Sequence, residues 1–153
     1  MSVIDTLITD RTQADVDELR ALLAAGDDPP ADHKGAYNAS DLNRVGAAVS
    51  YLQGRLSLIG ITTPGGLRTD WTAADIPTAG EMDRYLASVA AIQAKLRDYR
   101  PDEDLPGAMR QLDFNGANRI ESLLSAAEEV VRNVQLSYRG YSGRLRAGVN
   151  CLP

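Results

Sequence analysis

The amino-acid sequence predicts an all-α protein: a small bundle of three long helices and a shorter N-terminal helix, with a loose or extended C-terminal tail. A helix-capping pattern occurs four times along the chain, and after each occurrence the apolar residues recur at alternating intervals of three and four. Only 5% of the 153 residues are aromatic, whereas 44% are hydrophobic. The core must therefore consist mainly of Leu, Ile, Val and Ala, which favours helices over a β-sandwich.

Each predicted helix begins at a residue that suits the N-cap position. These residues are Thr12, Asn38, Thr78 and Asp113. Their side-chain oxygens can accept a hydrogen bond from an otherwise unpaired backbone N–H of the first turn. Three residues further along, the chain has Asp15, Asp41, Glu81 and Gly116. The first three positions can complete a capping box, but Gly116 has no side chain with which to do so, so the fourth cap is predicted to be weaker.

Apolar residues at 3-4 spacing define the extent of the helices. They predict helices at 13–25, 39–59, 79–99 and 114–138, the first of which is closed by Gly26. A 3-4 alternation is a heptad pattern, which is typical of left-handed helix packing and of coiled coils. The stripe on the third helix includes Tyr85 and Tyr99, which we therefore assign to the core.

The connections between the helices predict the organisation of the chain. Residues 1–138 are predicted to form one bundle domain, and residues 139–153, which contain three glycines, form the tail. The loops at 60–77 and 100–112 are long enough to return along a helix of about 30 Å, so both parallel and antiparallel neighbours are open. Trp71 lies in the first of these loops and is expected to plug one end of the bundle.

Composition argues against several classes of function. The net charge of −5 argues against a general nucleic-acid binder. The chain has one histidine, His33 in a polar loop, and one cysteine, Cys151, so schemes that pair a histidine with a nucleophile find little support. No motif for a phosphate loop, a metal or a cofactor is present. We predict a protein that is not an enzyme, has no catalytic, cofactor or metal site, and binds neither nucleic acid nor membranes.

No signal-peptide pattern and no apolar run of the length that spans a membrane is found, so the sequence predicts a soluble protein made in the cytoplasm.

Five residues are candidates for an interface or a ligand contact. Arg44, Arg84 and Arg119 occupy the same position relative to three helix starts, and this row can serve a protein interface. The alternative for the first two is an i,i+3 ion pair with Asp41 and Glu81. Tyr37 and Trp71, outside the core stripes, are candidates for stacking on a sugar.

An ordered set of short motifs resembles a module of phage proteins. The segment from Gly35 to Val49, GAYNASDLNRVGAAV, is similar to helix-opening motifs in tail and baseplate proteins of phages and prophages of Gram-positive bacteria. The set continues with LITDRT at 7–12, DWT at 70–72, DIPT at 75–78, GANRI at 116–120 and the stretch 138–143. This resemblance covers nearly the whole chain.

The resemblance implies a structural or assembly role in a tail, baseplate or fibre, with no catalytic residues to transfer. The partners implied are further copies of the chain, as a symmetric oligomer, and other virion tail proteins. The implied location is the virion, after assembly in the host cytoplasm. An alternative is a host-recognition module of a phage tail that binds cell-surface carbohydrate through Trp71, Tyr37 and loop residues.

Overall fold

Four α-helices form the molecule. The computed structural model describes residues 2–148, and side chains are described through Tyr138. The helices are α1 (Gln13–Ala25), α2 (Ala39–Ser57), α3 (Ala79–Leu96) and α4 (Phe114–Gly148), with short 3-10 helices at Val3–Thr6 and Met109–Gln111. Residues 2–148 contain no strand, and the predicted all-α bundle is confirmed.

The capping pattern determines where the helices begin. Both hydrogen bonds of the capping box are present at Thr12 with Asp15, Asn38 with Asp41, and Thr78 with Glu81. At the start of α4, the Asp113 carboxylate accepts a hydrogen bond from the Gly116 N–H at 2.7 Å. Gly116 returns none, because it has no side chain. All four helices start at the predicted residues, to within one position.

The three long helices run parallel to one another. Near their starts, Arg44 of α2 pairs with Glu121 of α4, and further along Arg55 of α2 pairs with Glu128 of α4 at 2.9 Å. Helix α3 starts beside the start of α2 and ends beside the middle of α4, where Tyr99 lines a groove with residues 130–138. The long connections 58–78 and 97–113 therefore carry the chain back along the bundle. Of the two arrangements that the sequence leaves open, the long helices have the parallel one.

The core lies between α2, α3 and α4. Its fully buried members include Val45, Val49, Leu52 and Leu56 of α2, Val89 and Ile92 of α3, and Ile120, Leu124, Ala127 and Val131 of α4. Trp71, from the first return connection, joins this core and is 7% exposed. Its backbone N–H donates to Asn43 Oδ1 at 2.7 Å, and Asn43 Nδ2 donates to the Trp71 carbonyl at 2.8 Å. These two bonds fasten the connection to the first turns of α2.

The predicted end of the fourth helix is wrong. Helix α4 continues past residue 138 to Gly148, so the segment 139–148 that was predicted as part of a loose tail is helical. The apolar spacing that runs through Tyr138 continues at Tyr141 and Leu145, and this signal outweighs the glycines that suggested a tail. Residues 149–153, the remainder of the predicted tail, lie outside the described residues.

Some predicted core positions are exposed. Tyr99 is 59% exposed, because α3 ends at Leu96 and Tyr99 lies beyond it. In α1 no residue is buried, and Leu23 of its predicted stripe is 57% exposed. Helix α1 instead approaches the segment before α2, where a Cβ atom on Gly35 would lie 2.2 Å from the Asp15 carbonyl oxygen.

Candidate functional site

Two arginines and two acids meet inside the bundle, close to the end at which the long helices begin. We call Arg11, Asp41, Arg44 and Glu121 the charge cluster. Arg11 and Asp41 are each 4% exposed and Glu121 is fully buried, whereas the Arg44 side chain retains 14% exposure. Two positive charges balance two negative charges, and buried charges are tolerated in proteins when they are paired and hydrogen-bonded in this way.

Glu121 is the centre of the charge cluster. Its Oε1 accepts hydrogen bonds from Nη2 of Arg11 at 2.7 Å and Nη2 of Arg44 at 3.0 Å. Its Oε2 accepts from the backbone N–H of Ile8 at 2.6 Å and from Nε of Arg44 at 3.1 Å. Asp41 Oδ1 accepts from Nη2 of both arginines. Each oxygen of Glu121 therefore has two donors, and the carboxylate has no capacity left for a ligand.

The N-terminal segment supplies Arg11 and is fastened to α4. Arg11 donates its backbone N–H to Asn118 Oδ1 at 3.0 Å, and Asn118 Nδ2 donates back to the Arg11 carbonyl at 2.8 Å. Arg11 Nη1 donates to the Ile8 carbonyl at 2.7 Å, which fixes the guanidinium. The cluster thus joins the segment before α1 to α2 and α4, which are distant in sequence.

Two tyrosines lie beside the charge cluster. The hydroxyls of Tyr37 and Tyr85 are hydrogen-bonded to each other, and the Arg11 guanidinium carbon lies 5.6 Å from the centre of the Tyr37 ring. Burial raises the pKa of both phenols above their ordinary value, and the negative charges of Glu121 and Asp41 raise it further. Both tyrosines therefore stay neutral over the physiological pH range.

The charge cluster is suited to holding the fold together and is not suited to proton transfer. Burial alone would lower the pKa of Arg44, but its hydrogen bonds and ion pairs with Glu121 and Asp41 raise the pKa above its ordinary value. A general acid or base must reach a substrate proton. Glu121 is fully buried with both oxygens in use, so the geometry gives a clamp between segments.

The predicted row of arginines is not brought to one surface. Arg44 points into the charge cluster, where it forms the i,i+3 ion pair with Asp41. Arg84 is exposed and lines a groove of about 430 Å³ that Trp71 also lines. Arg119 is exposed and donates from Nη1 to Asp104 Oδ2 at 2.9 Å. The three side chains thus have three different environments.

Tyr37 and Trp71, in contrast, line one groove. This groove has a volume of about 610 Å³ and lies between the segment before α2 and the first return connection. The indole ring of Trp71 is largely buried, and the guanidinium carbon of Arg68 lies 4.2 Å from its centre. The Tyr37 hydroxyl is engaged with Tyr85. The groove is therefore present, but neither ring offers a broad open face for stacking.

Exposed apolar side chains collect at the opposite end of the bundle, where α2 and α3 finish. Of the six large hydrophobic residues that are exposed in the described part of the chain, four lie at this end. They are Leu58 (73% exposed), Tyr99 (59%), Leu136 (55%) and Tyr138 (68%), and we call them the apolar end. Three of them, Leu58, Tyr99 and Tyr138, line adjoining grooves, and exposed apolar side chains that are grouped in this way are typical of interaction surfaces.

Tyr138 separates two grooves at the apolar end. One groove has a volume of about 560 Å³ and is lined by Tyr99 and Val134. The other has a volume of about 480 Å³ and is lined by Leu58 and Ile59. The surface at this end is therefore uneven, with the Tyr138 side chain as a ridge between two grooves. Apolar side chains of a partner can pack into the grooves.

Sequence reasoning missed both the charge cluster and the apolar end. Glu121 follows Ala117 by four positions and precedes Leu124 by three, so it lies on the apolar stripe of α4. A lone acid on an apolar stripe is a signal of a buried, paired charge. No such signal exists for Arg11, which precedes the first helix and finds its partners only through tertiary structure.

Comparison with family models, curated proteins and solved structures gave no match. Among residues 2–148, no helix combines the length and the apolar character that crossing a membrane requires. In the same part of the chain, no three His, Cys, Asp or Glu side chains are grouped so that they could hold a metal ion.

Proposed function

We propose that this protein is a structural or assembly component of a phage tail, baseplate or fibre, and that it acts through protein–protein contacts and not as an enzyme. Its partners are further copies of itself and neighbouring tail proteins. Its location is the virion, after assembly in the host cytoplasm.

The apolar end is the observation that carries a contact function. Four large apolar side chains exposed at one end of a bundle cost free energy in water, since each buried apolar Å² contributes about 25 cal/mol. A partner that covers them recovers this free energy. The distribution is uneven, because only two of the six exposed large hydrophobic residues in the described part of the chain, Leu23 and Ile76, lie elsewhere.

The assignment to a phage tail is supported by the ordered set of motifs along the chain. The segment from Gly35 to Val49 contains the N-cap Asn38, the cluster residue Asp41 and the start of the buried stripe of α2. The motif therefore includes residues on which the fold depends. A rigid clamp at one end and an apolar surface at the other suit a component that transmits contacts between neighbours.

Mass spectrometry of purified phage particles, combined with labelling of this protein and electron microscopy, tests the proposal. We expect the protein in the particles, located at the tail, and a defined oligomer or a tight complex with a tail protein in light scattering. A strictly monomeric protein at high concentration that binds no neighbouring tail protein would refute the contact function. A contact protein that is absent from the particles would refute the virion assignment.

The alternative function is a host-surface carbohydrate-binding module of a phage tail. The observation that favours it is the groove of about 610 Å³ that Tyr37 and Trp71 share. A glycan array with the wild type and Trp71→Ala tests it, with Tyr138→Ala as a control outside the groove. Binding that is lost only in a folded Trp71 variant supports this alternative, and a variant that merely unfolds shows Trp71 to be a core residue.

A further inference from the structure

The segment that precedes α1 fills a site that α2 and α4 build. We call residues 2–12 the strap. Its side chains Ile4 and Leu7 pack against the core, and its 3-10 helix contacts α2 and α4. Arg11 extends from the strap into the charge cluster. Without Arg11, the single positive charge of Arg44 would face two buried acids, so the site is complete only when a strap occupies it.

Helix α1 and the chain after it connect the strap to α2 without joining the core. No residue of α1 is buried. The chain reverses its direction after α1, because the returning segment lies beside the first turns of α1. There, Gly35 lies against the Asp15 carbonyl, and His33 Nε2 is 4.0 Å from Glu18 Oε2. Residues 26–30, GDDPP, link α1 to the returning segment, and we call them the hinge.

The hinge sequence favours an extended chain over this reversal. Proline fixes φ near −65°, and a residue before a proline is held in the extended region, which applies to Asp28 and Pro29. Asp27 and Asp28 are exposed neighbours of like charge, and their repulsion also favours extension. The turn is made at Gly26, which has a left-handed φ of +81°. When extended, the hinge spans about 16–18 Å, enough to carry α1 and the strap away from their own α2.

We propose that two copies of the chain exchange the strap and α1, so that Arg11 of each copy completes the charge cluster of the other. This inference deepens the proposed assembly function and rests on it. The structure itself identifies the occupant, because the site accepts the apolar side chains, the Ile8 N–H and the guanidinium of the strap. Only the hinge changes its conformation, and the other contacts of the strap and α1 form again with the second copy. Reciprocal exchange closes as a dimer.

Protein concentration decides between the closed monomer and the exchanged dimer. The two forms contain the same strap contacts, so their free energies differ by the conformation of the hinge and by the translational and rotational freedom that association removes. The dimer therefore forms at high concentration. Because Arg11 leaves its site only when the buried charge cluster opens, the two forms interchange slowly in native buffer. Refolding from urea brings them to equilibrium.

Sedimentation velocity of the full chain, refolded from urea over a range of concentrations, tests the exchange. We expect a dimer for the wild type at high concentration. For Pro29→Ala/Pro30→Ala we expect the dimer dissociation constant to rise by about tenfold or more, because a hinge without prolines reverses more easily. Pro64→Ala is the matched control, since Pro64 is exposed in the connection between α2 and α3. Circular dichroism checks that both variants are folded. A wild type that stays monomeric at every concentration overturns the inference.

A pair of complementary variants tests whether the strap crosses between copies. Arg11→Met alters only the strap, and Glu121→Gln alters only the site. When the two variants are refolded together, one charge cluster of the mixed exchanged dimer has its original residues, so native mass spectrometry should show more mixed dimer than the statistical half.

Arg20→Ala with Glu129→Ala is the control pair, because both residues are exposed and lie outside the charge cluster. This pair is expected to give the statistical half. If a cluster variant does not fold alone, a folded dimer that forms only on mixing supports the exchange. Mixed dimer at the statistical half for both pairs, or no folded species on mixing, overturns the inference.

These results separate this inference from the proposed function. A wild-type dimer that the hinge variant leaves unchanged but that Tyr138→Glu dissociates lies at the apolar end, which refutes the exchange while the assembly function stands. A protein that is present in purified particles but monomeric in solution refutes only the exchange. A monomeric protein that is absent from the particles and binds no tail protein refutes both.

Discussion

Glu121→Ala is expected to destabilise the protein by about 3–5 kcal/mol, the usual cost of removing one partner from a buried ion pair. The substitution leaves Arg11 and Arg44 with Asp41 alone, so the charge cluster acquires an uncompensated positive charge inside the bundle. It also removes the acceptor of four hydrogen bonds, one of which comes from the backbone N–H of Ile8. A buried donor that is left without a partner costs about 1–3 kcal/mol. The lost hydrogen bonds can therefore account for much of the expected 3–5 kcal/mol. A domain of this size is stable by about 5–15 kcal/mol, so the variant is close to unfolding.

Urea unfolding followed by circular dichroism measures this loss, with Glu129→Ala as the control. Glu129 is an exposed acid on the same helix, and its replacement is expected to change the free energy of unfolding by less than about 0.5 kcal/mol. The double variant Arg11→Met/Glu121→Leu is expected to lose less than the sum of the single changes, because both charges leave together. A cost below about 1 kcal/mol for Glu121→Ala would refute the buried clamp.

Three further expectations follow from other parts of the molecule. Trp71→Ala is expected to cost about 3–5 kcal/mol in urea unfolding, because the 7% exposed indole leaves a cavity; a nearly neutral change would show that the ring is not in the core. Gly35→Ala is expected to cost about 1–3 kcal/mol in the same assay, because its Cβ would lie 2.2 Å from the Asp15 carbonyl oxygen. Gly54→Ala is the matched control: its Cβ would have open space around it, so the substitution is expected to stabilise α2 by about 0.5–1 kcal/mol. Hydrogen bonds from the backbone N–H and the hydroxyl of the N-cap Thr78 lower the pKa of Glu81 below its ordinary value of 4.5. The contribution of Glu81 to stability is therefore complete above pH 4.5 and is lost as the pH falls through the lowered pKa. Glu81→Gln is expected to remove this part of the acid dependence, and identical acid-unfolding curves for the two proteins would contradict it.

Much of the fold was predictable, because the information for it is local. A capping box involves residues three positions apart, so Thr12, Asn38 and Thr78 could be recognised as helix starts from the sequence alone. The 3-4 spacing of apolar residues likewise identified most of the buried positions of α2, α3 and α4. The helix ends are harder to predict. The glycines after residue 138 suggest that the fourth helix stops there, although the apolar spacing continues to Leu145 and the helix reaches Gly148.

Less of the candidate site was predictable. Among the five candidate residues, the structure places Arg44 in the charge cluster. It brings Tyr37 and Trp71 to one groove and Trp71 and Arg84 to another, while Arg119 lies elsewhere. The row of arginines was inferred from equivalent positions on separate helices. Equivalent positions on separate helices face one surface only if each helix has the same rotation about its axis and the same arrangement of neighbouring helices. The sequence does not specify the rotation or the neighbours.

The sequence by itself determined the fold class, the starts of the four helices and which face of each long helix is apolar, since each of these depends on residues within one or two helical turns. The tertiary structure alone decided that the three long helices are parallel, that Arg11 meets Glu121 across more than a hundred residues, and that Tyr99 and Tyr138 are exposed. These features depend on how far each helix extends relative to its neighbours. A side chain on an apolar stripe is buried only where another helix is present to cover it, and at the apolar end α2 and α3 stop before α4 does.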